Sequence, residues 1–258
     1  MLSKQEFLFE LTRRRVVERY IGSSAMALWV VVAPLIPLAT NLAVFYFVAR
    51  IPAVQSMGVP AYAVYIFSGL LPFRIIQGAV IEATDLLVTN MEMLKSVNFP
   101  LHILSMTSVA ALVLEFGLQL LVMLVLLLAS GHGVGMSILL LPPAVILLVM
   151  ALLGASWTAS VAGYLLRDLR EVLGVGFTVL LYFSPVIYPI EAMPRLMATV
   201  ANLNPISYFV IVFRDAFLPG AGGLHLESWL VAGAIATAAF AVGLIAIQRT
   251  RRFVGDMV

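Results

Sequence analysis

Residues 103–129 read ILSMTSVAALVLEFGLQLLVMLVLLLA, an unbroken apolar run whose one charge is Glu115. At a rise of about 1.5 Å per residue, such a run exceeds the roughly 20 residues that cross a hydrocarbon core about 30 Å thick. A helix apolar on every side belongs in lipid or in a large core, so this stretch sets the class of the whole chain. Working outward from it, further apolar runs lie at 26–48, 61–81, 136–166, 172–190 and 228–248. Together they predict an all-α polytopic membrane protein with six transmembrane helices in a single transmembrane domain over 1–258.

Composition points the same way. The 258 residues are 62% hydrophobic and 11% charged, with a mean hydropathy of +1.08. Soluble domains run to about 45–50% apolar and about 25% charged, so this chain has too few charges to coat a globule. The absence of cysteine excludes a disulfide framework, thiolate metal ligation and a cysteine nucleophile. A net charge of +2 is too small to imply nucleic acid as a partner.

The positions of Lys and Arg set the orientation, because positive charge beside a span is retained on the cytoplasmic side. With the N-terminus inside, Lys4, Arg13, Arg14, Arg15, Arg19, Lys95, Arg167, Arg170, Arg249, Arg251 and Arg252 are cytoplasmic, and only Arg50, Arg195 and Arg214 are outside. Both termini are then cytoplasmic, which requires an even number of spans. The first run follows a charged stretch and lacks a small-residue cleavage pattern, so it reads as a retained span rather than a signal peptide.

Two segments outside the spans stand out. Residues 3–20 alternate apolar and charged side chains as an amphipathic interface helix, with Ser3 and Glu6 at capping-box spacing. Residues 191–220 contain Pro194, the Asn204-Pro205 break and Pro219-Gly220, and each half is too short to cross the bilayer. They predict a re-entrant helical hairpin in the outer leaflet, packed against protein or lining a pathway, because irregular backbone is not tolerated against lipid.

Catalytic chemistry is sparse. No glycine is followed by lysine, so the phosphate-cradling Gly-Lys-Ser/Thr element is missing. His102, His132 and His225 lie in separate segments with no ligand-spaced neighbour, which favours loop or interfacial roles over a metal site. Within the spans, Arg74 and Glu115 fall at depths that differ by roughly 5 Å on adjacent helices. That spacing favours an intramembrane ion pair that fixes helix packing, ahead of a proton relay or substrate contact. Trp29, Tyr65, Phe73, Phe177, Tyr182 and Tyr188 belong to an aromatic enrichment of the first, second and fifth runs. It fits an interfacial belt and ordinary packing, or rings along which a sugar chain slides. Between the second and third runs, residues 90–100 (NMEMLKSVNFP) mix apolar and charged side chains at helical spacing and stop at Pro100. A surface helix over 86–99 that docks a soluble partner fits this pattern, as does a connector resting on lipid.

Several motifs run in order through nearly the whole chain. They are Arg19-Tyr20 with Trp29 and Pro34, Ser68-Gly69-Leu70-Leu71-Pro72-Phe73, Asn90 to Pro100, Arg167-Asp168-Leu169, Ser184-Pro185-Val186-Ile187-Tyr188, Asn204-Pro205-Ile206-Ser207-Tyr208, Phe213-Arg214-Asp215, and Phe253 with Asp256. In this order the chain resembles the type-2 ABC transporter permeases, and among them the polysaccharide-export group of O-antigen, capsule and teichoic acid permeases. The resemblance implies a half-transporter in the bacterial inner membrane. Two copies would work with two copies of a separate ABC ATPase, which binds ATP and Mg, to export a lipid-linked polysaccharide, with an envelope adaptor as a possible further partner. It implies no enzyme activity and no cofactor in this chain. By resemblance, Glu10, Arg14, Asn90, Glu92, Lys95, Phe99, Arg167 and Asp168 contact the ATPase. Trp29, Tyr65, Phe73, Phe177, Tyr182 and Tyr188 line the substrate path, and Pro194, Asn204, Pro205, Tyr208 and Arg214 belong to the outer gate hairpin. A type-2 permease for a drug or small lipid shares these motifs. An ion-coupled carrier would instead need substrate-linked ionisable residues or inverted halves with broken helices.

Overall fold

The computed structural model describes residues 26–90, 101–131, 133, 135–218 and 223–255, and all its regular elements there are helical. In chain order they are α1 (Met26–Leu42), α2 (Val59–Thr89), α3 (Leu101–Ala129), α4 (Leu141–Leu165), α5 (Leu169–Tyr182), α6 (Arg195–Leu203), α7 (Pro205–Phe217) and α8 (Leu226–Gly255). A π-helical turn, Ala43–Val48, extends α1, and a 3-10 turn, Met136–Leu140, leads into α4. Among the described residues, four helices are long and apolar enough to cross a bilayer alone: α2, α3, α4 with its lead-in, and α8. The helix bounds follow local chemistry. Gly58, at φ 78°, precedes α2, and Pro60 sits in its first turn, where a missing N–H costs nothing.

α2 is the axis of the bundle. Its most apolar stretch is 67% buried within the chain, against 28%, 28% and 22% for the other three long helices, whose outer faces are left for lipid. α8 lies along α4 in backbone contact, since a β-carbon on Gly154 would collide with Ala239, and one on Gly243 with the Gly154 carbonyl. Small residues bring membrane helices together in this way, because lipid tails supply no hydrophobic drive between them.

Three expected boundaries shift. α2 continues to Thr89, so the surface helix expected over 86–99 cannot start at Leu86; its first residues are the last turn of α2, and 91–100 lie outside the described residues. The apolar run at 172–190 is helical only as far as Tyr182, about 21 Å at 1.5 Å per residue, and Pro185 prevents its continuation. The chain beyond it is irregular yet buried, with Val186 and Ile187 fully enclosed. Nonhelical backbone at membrane depth requires such protein cover. The expected hairpin is present as α6 and α7, bent by 87°. The interface helix expected at 3–20 lies outside the described residues.

Ser137 Oγ donates to the Ala216 carbonyl at 3.1 Å, so α7 packs beside the start of the α4 unit, and it also packs on α2 and α8. The starts of α2, α4 and α8 and the hairpin thus share one end of the bundle. At the other end the Leu166–Asp168 turn joins α4 to α5, and Arg170 pairs with Asp85 near the end of α2.

Candidate functional site

The hairpin turns at Asn204. Its Oδ1 accepts from the Ile206 amide at 3.0 Å and so caps α7, and its Nδ2 donates to Ser184 Oγ at 2.7 Å. Ser184 in turn donates to the Leu180 carbonyl at 2.6 Å, which anchors the elbow to the end of α5. Pro205 at the first helical position starts α7 without needing a donor. Tyr208 closes the elbow by donating to the Asn202 carbonyl at 2.7 Å, and Pro194 is the exposed residue preceding α6.

α7 lies across the first half of α2 at Gly69, where an added β-carbon would sit 3.1 Å from Val186 Cα and 3.2 Å from Arg214 Nη2. The small residue therefore makes room for a guanidinium. Arg214 places its Cζ 3.7 Å from the Tyr65 ring centroid, and its Nη2 donates to the Pro185 carbonyl at 2.6 Å. A cation over a ring face, bonded to irregular backbone, ties the hairpin to both α2 and the segment after α5. Tyr62 adds a second tie, donating to the Ile187 carbonyl at 2.9 Å.

Asp215, the next residue, faces α8. Its carboxylate accepts from the His225 amide at 3.1 Å and from Trp229 Nε1 at 3.0 Å, and it lies 2.7 Å from His225 Nδ1. His225 lies in the loop ahead of α8, as expected of it, but it has a carboxylate partner. The partner is ten positions earlier in sequence and is brought to it by the return of the chain from α7 to α8. Between these groups lies a cavity of about 500 Å³ lined by Tyr65, Glu191, Arg214, Asp215, His225 and apolar side chains that include Met57 and Ile211. Within its wall, Tyr65 Oη and Arg214 Nε are buried with no hydrogen-bond partner among the described residues.

The expected path residues divide. Phe73 and Phe177 meet edge to face at 6.0 Å and are buried, as is Tyr65, which forms part of the cavity wall. Tyr182 is exposed, and Tyr188 donates to its carbonyl at 2.7 Å, while Phe45 lies 6.4 Å and 6.1 Å from their two rings. The Trp29 side chain lies outside the described residues. Arg74 and Glu115 line a second cavity of about 420 Å³ between α1, α2 and α3, together with Glu82 and Gln119. They do not form the expected ion pair with each other. Arg74 Nη1 donates to Gln77 Oε1 at 3.2 Å, and Gln119 Nε2 lies 3.5 Å from Glu115 Oε1. Similar depth on neighbouring helices therefore brought them to one cavity.

Of the expected ATPase contacts, Glu10, Arg14, Glu92, Lys95 and Phe99 fall outside the described residues. Asn90 ends α2 and donates to the Leu86 carbonyl at 2.8 Å. Arg167 and Asp168 are exposed in the turn before α5. The Arg170–Asp85 pair beside them was not anticipated, because the two residues lie 85 positions apart and nothing local signals their contact.

Residues 6–218 match the family model described as "ABC-2 type transporter". The chain is 24% identical over 216 residues to a protein of Klebsiella pneumoniae named "O-antigen export system permease protein RfbA", an overlap of 83% of this chain and 81% of that one. A protein of the same name from Myxococcus xanthus is 25% identical over 212 residues, covering 81% of this chain and 79% of its own length.

Proposed function

The chain belongs to the ABC-2 type transporter family, and on that premise we propose that it is the membrane-spanning subunit of an ATP-driven exporter of lipid-linked polysaccharide. The observation that carries this reading is the likeness to O-antigen export permeases over 83% of this chain and 81% of the relative, beside a family match over 6–218 that takes in α1 to α7. Two copies work with two separate ABC ATPase subunits, which hold the ATP and Mg. The uncovered apolar stripe of α5, Val172, Val175 and Val179, supports pairing with a second copy. The positive-inside distribution supports a cytoplasmic position at the inner membrane for the 90–100 connection, the Arg167-Asp168 turn and both termini, and an outer position for the hairpin.

α2 then acts as the lever. It is a helix of 31 residues, about 46 Å long, that begins at the hairpin and ends at the connection where the ATPase docks. Closure of the ATPases on nucleotide displaces the connection. The helix carries that displacement past its interior Pro72 to Tyr62 and Tyr65, which hold the segment after α5 and Arg214 of the hairpin. The hairpin moves as a body because Asn204 fastens its elbow to Ser184.

The test is co-purification with the ATPase encoded beside this chain, followed by ATP turnover in lipid with and without lipid-linked glycan. A two-plus-two complex stimulated by glycan, whose stimulation is lost on charge reversal at Glu92 and Lys95, is the expected result. A chain that purifies alone and moves solute down an ion gradient would replace this reading with a secondary carrier.

A further inference from the structure

We infer that the cavity enclosed by α2, α7, the start of α8 and the segment after α5 is a binding subsite for a single neutral saccharide unit, an inference whose ligand class rests on the polysaccharide-export reading. Its volume of about 500 Å³ lies within the range of small-molecule sites. The charges in its wall select against ions. An anion entering beside Arg214 would meet the carboxylates of Asp215 and Glu191, and a cation approaching those carboxylates would meet Arg214. A hydroxyl-rich neutral ligand suffers neither conflict, because each hydroxyl both donates and accepts.

The hydrogen-bonding inventory agrees. Glu191 is exposed at the rim as an acceptor. His225 uses Nδ1 on Asp215, which leaves Nε2 as the ring's remaining polar atom. Met57 and Ile211 supply apolar surface for the C–H face of a pyranose. The site lies at the end of the bundle where an exported chain would emerge, and a subsite there must bind weakly enough to release each unit.

Trp229 provides the readout, since its indole Nε1 lies 3.0 Å from Asp215 in the cavity wall. The full chain in lipid nanodiscs is titrated with glucose, galactose, mannose and N-acetylglucosamine, and separately with inorganic phosphate and choline chloride, following tryptophan emission. The expected result is a saturable change at millimolar concentrations of at least one sugar, none with phosphate or choline, and none in Trp229→Phe. Glu191→Gln, at an exposed position, raises the half-saturating concentration about tenfold, the effect of losing one charge-assisted hydrogen bond. Ala61→Phe, which fills the cavity from α2, abolishes the response. No response to any sugar, a response to phosphate alone, or a sugar response unchanged in both variants overturns the inference. Failure of the exporter reading is separate. Sugar binding without glycan-stimulated ATP turnover keeps the site and removes that reading, and stimulated turnover without sugar binding does the reverse.

Discussion

Where α4 crosses α8, the two helices meet backbone to backbone through Gly154 and Gly243, with no charged group involved. At the hairpin end the elements are held apart by a cavity and joined by polar side chains: Asn204 to Ser184, Arg214 to Tyr65 and Pro185, Asp215 to His225 and Trp229. The first contact has a single close-packed arrangement, because moving either helix opens a void or causes a collision. The second is a set of directional bonds that can be broken one at a time and remade elsewhere. A close-packed frame and an end that the proposed mechanism would move therefore occupy one bundle, and α2 passes through both: Gly163 of α4 packs onto the backbone at Thr84, and Arg214 of α7 covers Tyr65.

The contrast breaks most sharply at the frame. Gly154→Leu puts a side chain where the α8 backbone already lies, and overpacking of this kind costs about 3 kcal/mol or more. The expected outcome is near-complete loss of monodisperse protein in size-exclusion chromatography after solubilisation. Asp215→Ala comes next, because it removes the shared acceptor of three part-buried groups and costs about 1–2 kcal/mol. Asp215→Asn retains an acceptor oxygen and is expected to lose less than half of that, so the two thermal unfolding midpoints should separate clearly. Asn204→Ala removes the α7 cap and costs about 1 kcal/mol, yet it frees the elbow from Ser184. Its expected signature is a modest fall in unfolding temperature with a larger rise in labelling of a cysteine placed at the exposed Leu203. The smallest effect belongs to Arg170 and Asp85, an exposed pair whose double-mutant coupling energy should stay below about 1 kcal/mol. If Gly154→Leu folded normally while Asn204→Ala did not, the assignment of frame and movable end would be reversed.

Much of the frame was legible in the sequence. The runs at 103–129 and 228–248 appear as helices with their bounds moved by a few residues, since a long apolar stretch has no alternative to a helix in lipid. The hairpin was legible too, from Pro194, Asn204-Pro205 and the shortness of each half. The extent of α5 was read too long, because the apolar residues after Tyr182 are buried as irregular chain rather than as helix, and hydropathy registers burial without distinguishing the two. Arg74 and Glu115 show a similar limit: spacing along each helix predicted their depth, and the packing of the helices brought them to one cavity, where Arg74 donates to Gln77.

The amino-acid sequence by itself therefore determined that the chain is helical and membrane-embedded, where its helices break, and to which family its motifs belong. The first two follow from local rules, namely apolar length and proline and capping chemistry, and the third from the resemblance of its ordered motifs to a known family. Only the tertiary structure decided that Arg170 reaches Asp85, that Arg214 lies over Tyr65, that Asp215 gathers His225 and Trp229, and that a cavity opens beside Tyr65, Arg214 and Asp215. Those contacts depend on helix rotation and on how closely backbones approach, and no stretch of sequence specifies either quantity until the helices pack.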